Sequence, residues 1–183
     1  MPGQFEELYE KYHQDLFSFL YYLVNSREQA EDLIQEVYIR IFKSYGTFQG
    51  KSSEKTWLFS IARHVAIDSF RKNLGWKKRI ISTFDWDKNE FKDLSPLPEE
   101  ISLQNEQIHI LYSCLDKCSI DYRLVLILRY IHSMSISETA VALEWSESKV
   151  KTTQHRALKK IKKLMEEVTI EEKELRDKHI YIS

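Results

Sequence analysis

The stretch Ser135-Ile-Ser-Glu-Thr-Ala-Val-Ala-Leu-Glu-Trp-Ser-Glu-Ser-Lys-Val-Lys-Thr-Thr-Gln-His-Arg-Ala157 decides how this chain folds. Ser135 followed three residues later by Glu138 is a capping box, in which hydroxyl and carboxylate satisfy the free N–H groups at a helix start. It opens a short helix whose Ala140 is small enough for a second helix to cross closely. Leu143-Glu144-Trp145-Ser146 then reads as a tight turn, with Ser146 as the next N-cap. Glu144 stands where such a turn often carries glycine. Val150, Ala157, Ile161 and Leu164 recur at helical spacing and form the inward stripe of the helix that follows. Its outward positions are Ser148, Lys149, Lys151, Thr152, His155 and Arg156. Together these are the parts of a helix-turn-helix, whose second helix enters the major groove of DNA. Lys and Arg donate there to guanine acceptors, and Thr and Ser suit bases or phosphate.

Outward from this motif the pattern stays helical. With four Gly and three Pro in 183 residues, the chain is too poor in turn formers for a β-sandwich and far from the composition of a disordered chain. Phe5, Leu8, Tyr9, Tyr12, Leu16, Phe19, Leu20 and Leu23 keep the i, i+3, i+4, i+7 spacing of an amphipathic helix. Ser26 and Gln29 form a second capping box. The helix it opens carries Ala30, Leu33, Ile34, Val37, Tyr38, Ile41 and Phe42 on its apolar face, and Glu28, Glu31, Asp32, Gln35 and Glu36 on its outer face. A loop is expected over 45–55, then a helix over 56–72 with Leu58, Ile61, Ala62 and Val65 inward. Gly75 reads as a break. Residues 82–107 hold seven acids against two lysines, with Pro96 and Pro98 stopping helix, and read as a linker. Further helices are expected at 99–116, 120–132, 135–143 and 147–167, followed by a charged tail that frays. The run Leu124-Val-Leu-Ile-Leu128 has the composition of a buried strand, but it continues without a turn signal among helical neighbours and reads as helix. The fold class is all-α, as two small helical domains joined by a flexible linker: 1–80, linker 81–104, 105–167 and a tail 168–183.

The net charge of −1 conceals segregation. Residues 149–163 carry seven basic side chains and no acid, and Arg63, Arg71, Lys72, Lys77, Lys78 and Arg79 are opposed only by Asp68. Each basic group that meets a phosphate releases condensed counterions, so such patches suit a nucleic-acid backbone; a solvated helix face is the plainer alternative. The loop Gln49-Gly-Lys-Ser-Ser-Glu-Lys55 leads into Thr56-Trp-Leu-Phe59 and then into the basic residues. Basic residues interleaved with aromatics can track a backbone and stack unpaired bases, although Trp57 and Phe59 could equally be core. Cys114 and Cys118 read as reduced thiols on one helix face, and the six His are scattered without ligand spacing, so neither metal nor cofactor is expected. The start Met1-Pro-Gly-Gln4 lacks the pattern of a signal peptide, and no stretch approaches 18 apolar residues. A cytoplasmic protein without membrane insertion is expected.

Four segments, in order, resemble bacterial sigma factors of the extracytoplasmic-function (ECF) group: Gln29-Ala-Glu-Asp-Leu-Ile-Gln-Glu-Val37, Thr56-Trp-Leu-Phe-Ser-Ile-Ala-Arg63, Ala66-Ile-Asp-Ser-Phe-Arg-Lys72 and Ser146-Glu-Ser-Lys-Val-Lys-Thr-Thr-Gln-His-Arg-Ala157. The resemblance implies a first unit like sigma region 2 and a second like region 4. It implies that Glu31, Asp32, Gln35 and Glu36 dock on the clamp helices of the largest subunit of core RNA polymerase. An acidic face beside an apolar stripe suits a basic partner and repels DNA. The loop residues Lys51, Ser52 and Ser53 would pocket a flipped base of the −10 element. Thr56, Trp57, Arg63, His64 and Arg71 would hold neighbouring bases and phosphates. Ser148, Lys149, Lys151, Thr152, His155 and Arg156 would read the −35 element as duplex. Part of region 4 would contact the flap of the second-largest subunit, and a membrane-anchored anti-sigma factor is the implied regulator. No catalytic residue is implied. Two other readings are a free-standing helix-turn-helix regulator, which binds its operator without polymerase, and a hydrolase using Glu31, Asp32 and Glu36. The latter carboxylates have no metal-ligating His or phosphate loop near them in the sequence.

Overall fold

The computed structural model describes residues 2–80 and 106–180, so the linker expected over 81–104 lies outside the described residues. Every regular element among the described residues is helical. The chain divides into two compact units, the first holding α1 to α3 and the second holding α4, α5, most of α6 and α7.

In the first unit α1 runs Pro2–Val24, α2 Arg27–Ser44 and α3 Glu54–Ile80. Leu8, Leu16, Phe19, Leu20 and Leu23 of α1 are buried with Ala30, Leu33, Ile34, Val37 and Ile41 of α2 and with Leu58, Phe59, Ala62, Val65 and Ala66 of α3. The Phe19 and Phe59 rings meet edge to face at 5.3 Å. Each buried Leu, Ile, Val or Phe among them contributes about 1.5–3 kcal/mol, which is what holds three helices as one body. α1 ends on Asn25, which takes the left-handed conformation (φ 51°) that Asn tolerates. Its N–H donates to the Tyr21 carbonyl at 2.8 Å. Ser26 caps α2 as expected, its Oγ accepting from the Gln29 N–H at 3.3 Å.

Three expectations for this unit change. Phe42, assigned inward, is 75% exposed, and Tyr9 is also exposed. The Phe42 ring lies at the α1–α2 edge, 6.2 Å from Phe5. The loop after α2 starts with a 3₁₀ turn, Tyr45–Thr47. α3 begins two residues early and continues to Ile80, through Gly75. A lone glycine costs a helix about 1 kcal/mol against alanine and does not stop it where no proline follows.

In the second unit α4 is Glu106–Asp116, α5 is Ile120–Leu126, α6 is Ile136–Leu143 and α7 is Glu147–Ile180. The apolar run Leu124–Leu128 is helical and buried. Helix α5 does not continue regularly to 132. It widens into a π turn over Ile127–Ile131, closed by His132 N–H to the Ile127 carbonyl at 3.1 Å. Val150, Ala157, Ile161 and Leu164 are the buried stripe of α7, as expected. α7 does not end near 167 but runs 34 residues. Beyond Leu164 the sequence has no Gly or Pro, and Lys162–Glu166 and Lys163–Glu167 pair at i, i+4 (3.9 and 3.7 Å), the spacing that supports an exposed helix. Both cysteines are buried. The Cys118 thiol donates to the Cys114 carbonyl at 3.4 Å, and burial pushes its pKa up.

Candidate nucleic-acid interface

The second unit builds its face locally. Ser135 and Glu138 close a complete capping box: Ser135 N–H donates to Glu138 Oε2 (2.8 Å) and Glu138 N–H donates to Ser135 Oγ (3.1 Å). At the far end of α6, Glu144 N–H donates to the Val141 carbonyl (3.2 Å) and Trp145 N–H to the Ala140 carbonyl (2.9 Å). These two bonds are a Schellman motif, which requires a left-handed residue at its centre. Glu144 supplies it with φ 56°, in the position where glycine was missed in the sequence. Ser146 then caps α7, its Oγ accepting from Lys149 N–H at 3.2 Å.

With both helix ends fixed, Ser148, Lys149, Lys151, Thr152, His155 and Arg156 all stand exposed on one side of α7, opposite its buried stripe. Lys149 Nζ lies 3.6 Å over the Trp145 ring, a cation–π contact that braces it on the turn. Lys151 pairs loosely with Glu147 at 3.9 Å. Both partners of that pair are more than half exposed, so it is readily exchanged for a phosphate. A shallow groove of about 530 Å³ opens beside this face between the starts of α5 and α7, lined by Ser119, Tyr122, Ser148, Thr152 and Arg156 among others. Sequence reading missed Arg129, which orients α7. Its Nε donates to Gln154 Oε1 at 2.9 Å and its Nη1 to the Met134 carbonyl. Arg129 lies 25 residues from Gln154, beyond the reach of any helical periodicity.

The first unit builds its face from several elements. Ser53 caps α3: its Oγ accepts from Thr56 N–H at 3.1 Å and lies 2.8 Å from Thr56 Oγ1. Thr56 is buried at 1% exposure, and its hydroxyl is engaged in the cap. Lys51 is exposed at the loop tip, beside Gly50 at φ 66°. Ser52 Oγ donates to the Ser53 carbonyl at 3.3 Å. Trp57 is half-buried, 4.8 Å from the Phe48 ring and 6.1 Å from the Tyr45 ring, while Phe59 is wholly core. Arg63 and His64 are half-buried and Arg71 is exposed. The start of α3 is tied to α1 by Lys55–Asp15 (3.4 Å) and Lys11–Glu54 (4.0 Å).

The acidic residues of α2 form two groups. Glu31 pairs with Arg27 and Glu36 with Arg40, each at 2.9 Å. Asp32 and Gln35 are exposed. Ile39 and Phe42, 49% and 75% exposed, extend the row of Asp32 and Gln35 at spacings of three and four, so the outer face of α2 is acidic at one end and apolar at the other. That spacing was present in the sequence and would have placed Ile39 and Phe42 with Asp32.

Family models of sigma-70 region 2 and sigma-70 region 4 match residues 8–75 and 108–161. The chain is 57% identical over 166 residues to the ECF RNA polymerase sigma factor SigX of Bacillus subtilis, covering 91% of this chain and 86% of that protein. It is 34% identical to the RNA polymerase sigma factor YlaC of the same organism, covering 92% and 95%. Among solved structures it is similar to the sigma factor RpoE of Bartonella quintana, solved with the anti-sigma factor NepR (TM-score 0.70, 21% identity, 89% and 97% covered). CnrH, solved with the cytosolic domain of CnrY, has the same fold (TM-score 0.64, 18% identity, 91% and 90% covered). With both region models matched in order and more than half the residues shared with a sigma factor across nearly the whole chain, this protein belongs to the ECF group of RNA polymerase sigma factors.

Proposed function

We propose that this chain binds core RNA polymerase and directs promoter-specific initiation, its first unit capturing unpaired −10 bases and its second reading the −35 element as duplex. Residues 1–80 act as region 2 and 105–167 as region 4, with 81–104 as the tether. The observation that carries the reading is the α7 face: six donor-bearing or polar side chains exposed together on a helix whose start is fixed by a capped turn. Arg156 and Lys151 offer donors to guanine edges, and Ser148 and Thr152 suit bases or phosphate. In the first unit Lys51, Ser52 and Ser53 form the loop that receives a flipped base. Trp57, Arg63, His64 and Arg71 hold its neighbours, and Thr56 contributes by fixing the loop through the Ser53 cap.

The mechanism is binding without bond-making. Unstacking a base costs a few kcal/mol, and capture of the freed base offsets that cost and favours the melted state. Two weak readers on one tether gain affinity through effective concentration once both engage. Asp32, Gln35, Glu31 and Glu36 dock on the clamp helices of the largest polymerase subunit, with Ile39 and Phe42 adding apolar area to the same face. Part of region 4 meets the flap of the second-largest subunit. A membrane-anchored anti-sigma factor completes the set of partners; RpoE, which shares this fold, was solved with the anti-sigma factor NepR. The protein acts in the cytoplasm, and among the described residues no helix is long and apolar enough to cross a membrane. Transcription with purified core polymerase tests the reading: start sites that appear only when this chain is added support it. Operator shifts by the chain alone, with no change in initiation, would instead support the free-standing regulator.

A further inference from the structure

His64, Asp68 and Arg71 follow one another at spacings of four and three along α3, which places them in a single row on that helix. A carboxylate in the middle of a row meant for a polyanion is a liability, and Asp68 is the only acid between Thr56 and Lys72. Its side chain is 42% exposed, so its charge is visible to anything that approaches the row. The structure supplies the counter-charge from another helix. Arg40 of α2 donates from Nη1 to Asp68 Oδ2 at 3.1 Å and from Nε to Glu36 Oε1 at 2.9 Å. The bond to Glu36 is the main influence pushing the guanidinium pKa further up, and the bond to Asp68 adds to it. Arg40 thus joins the helix that carries the docking face to the helix that carries the strand-capturing row.

We infer that Arg40 is a positioning residue for strand capture: it offsets part of the Asp68 charge within the α3 row, so that the phosphates of the melted strand meet the Arg71 charge less opposed. The inference rests on the proposed role of α3 in holding unpaired bases. It gives Arg40 no direct contact with a base, and it gives the α2–α3 junction an electrostatic task beyond packing. Ion pairs this exposed contribute little to stability, so a purely structural account leaves the placement of Asp68 in the row unexplained.

The test is a cycle of variants in the reconstituted holoenzyme. It measures anisotropy of a labelled fork-junction DNA whose unpaired non-template segment comes from a promoter that the wild-type holoenzyme transcribes. Arg40→Gln leaves the Asp68 charge uncompensated and weakens capture about five- to tenfold at low salt, with the loss shrinking at high salt as charges are screened. Asp68→Asn alone binds at least as tightly as wild type, and Arg40→Gln combined with Asp68→Asn returns to within about twofold of it. A structural tie predicts the opposite pattern: Asp68→Asn would harm capture as much as Arg40→Gln, and the double variant would show no rescue. That pattern, or an Arg40→Gln protein that captures strand normally, overturns the inference. Asp68→Asn gives its answer even if Arg40→Gln fails to fold. Should wild-type holoenzyme form and initiate yet show no preference for unpaired strand, the proposed role of α3 falls first and this inference with it.

Discussion

The two helices proposed to read DNA, α3 and α7, reach the surface by different routes. At the start of α7 the fixed points lie within 15 residues of sequence, the box at Ser135–Glu138, the left-handed Glu144 and the cap at Ser146, and Arg129 on Gln154 adds a distant tie. Around α3 they come from far away: Asp15 and Lys11 of α1 at its start, Arg40 of α2 at its middle. A locally framed face can be read from the chain, residue by residue. A face assembled from three helices exists only after the core has formed. The same contrast fits the two tasks, since duplex presents a fixed groove to a pre-set helix, whereas a melted strand must be caught by several elements acting together.

The largest predicted effect tests the tertiary side of that contrast. Phe59→Ala removes a wholly buried ring packed on Phe19 and costs the first unit about 3–5 kcal/mol, read as a lowered midpoint in urea unfolding. Strand capture should fail in this variant while duplex recognition by the second unit persists. Loss of both together would mean that the α7 face is not locally framed. Next in size, Arg156→Ala weakens binding to a −35 duplex by about 1–3 kcal/mol if it contacts a base edge, with fold retained. Equal weakening on all duplex sequences would demote Arg156 to a phosphate contact.

Much of this is legible in the sequence. Ser135, Ser146 and the stripe Val150–Ala157–Ile161–Leu164 behave as their spacing requires, because caps and helical faces are short-range physics. The helical reading of Leu124–Leu128 also holds. Tertiary neighbours are what spacing does not carry. Phe42 fits an apolar stripe by spacing, but spacing fixes direction and not whether a neighbour covers it. That the Thr56 hydroxyl also engages Ser53 in the helix cap is a contact that composition does not show. Asp68 counts as a lone acid among bases until Arg40, 28 residues earlier, arrives beside it. Gly75 does not break α3 because a lone glycine lowers a helix's stability without setting its boundary, and α7 outruns its expected end because no Gly or Pro beyond Leu164 stops it.

Two smaller effects sharpen the comparison further. Glu144→Gly relieves the left-handed strain of the turn and gains up to about 1 kcal/mol, since the αL cost of a side chain exceeds the added unfolded-state freedom of glycine. Glu144→Val, branched at Cβ, should lower the second unit's thermal midpoint instead. The smallest effect is a pH dependence in the first unit. Burial holds the His13 pKa below its usual value, and Nδ1 lies 3.0 Å from the Tyr38 hydroxyl, which can donate to the neutral ring. A depressed folded pKa means that the unfolded chain binds the proton more readily. His13 therefore adds stability above the ordinary histidine range and loses it as pH falls through the folded value. Thermal scans from neutral to mildly acidic pH should show a drop that His13→Phe reduces; an identical drop in that variant would assign it elsewhere.

The central claim is that α3 meets unpaired strand while α7 meets intact duplex. Photo-crosslinkers placed singly at Arg71 and Lys151, in holoenzyme bound to a promoter fragment, test it most directly. The account predicts that the probe at Arg71 labels the non-template strand only within the melted segment, and that the probe at Lys151 labels base-paired DNA upstream. Labelling of paired DNA by both probes, or no DNA labelling from Lys151, would contradict it.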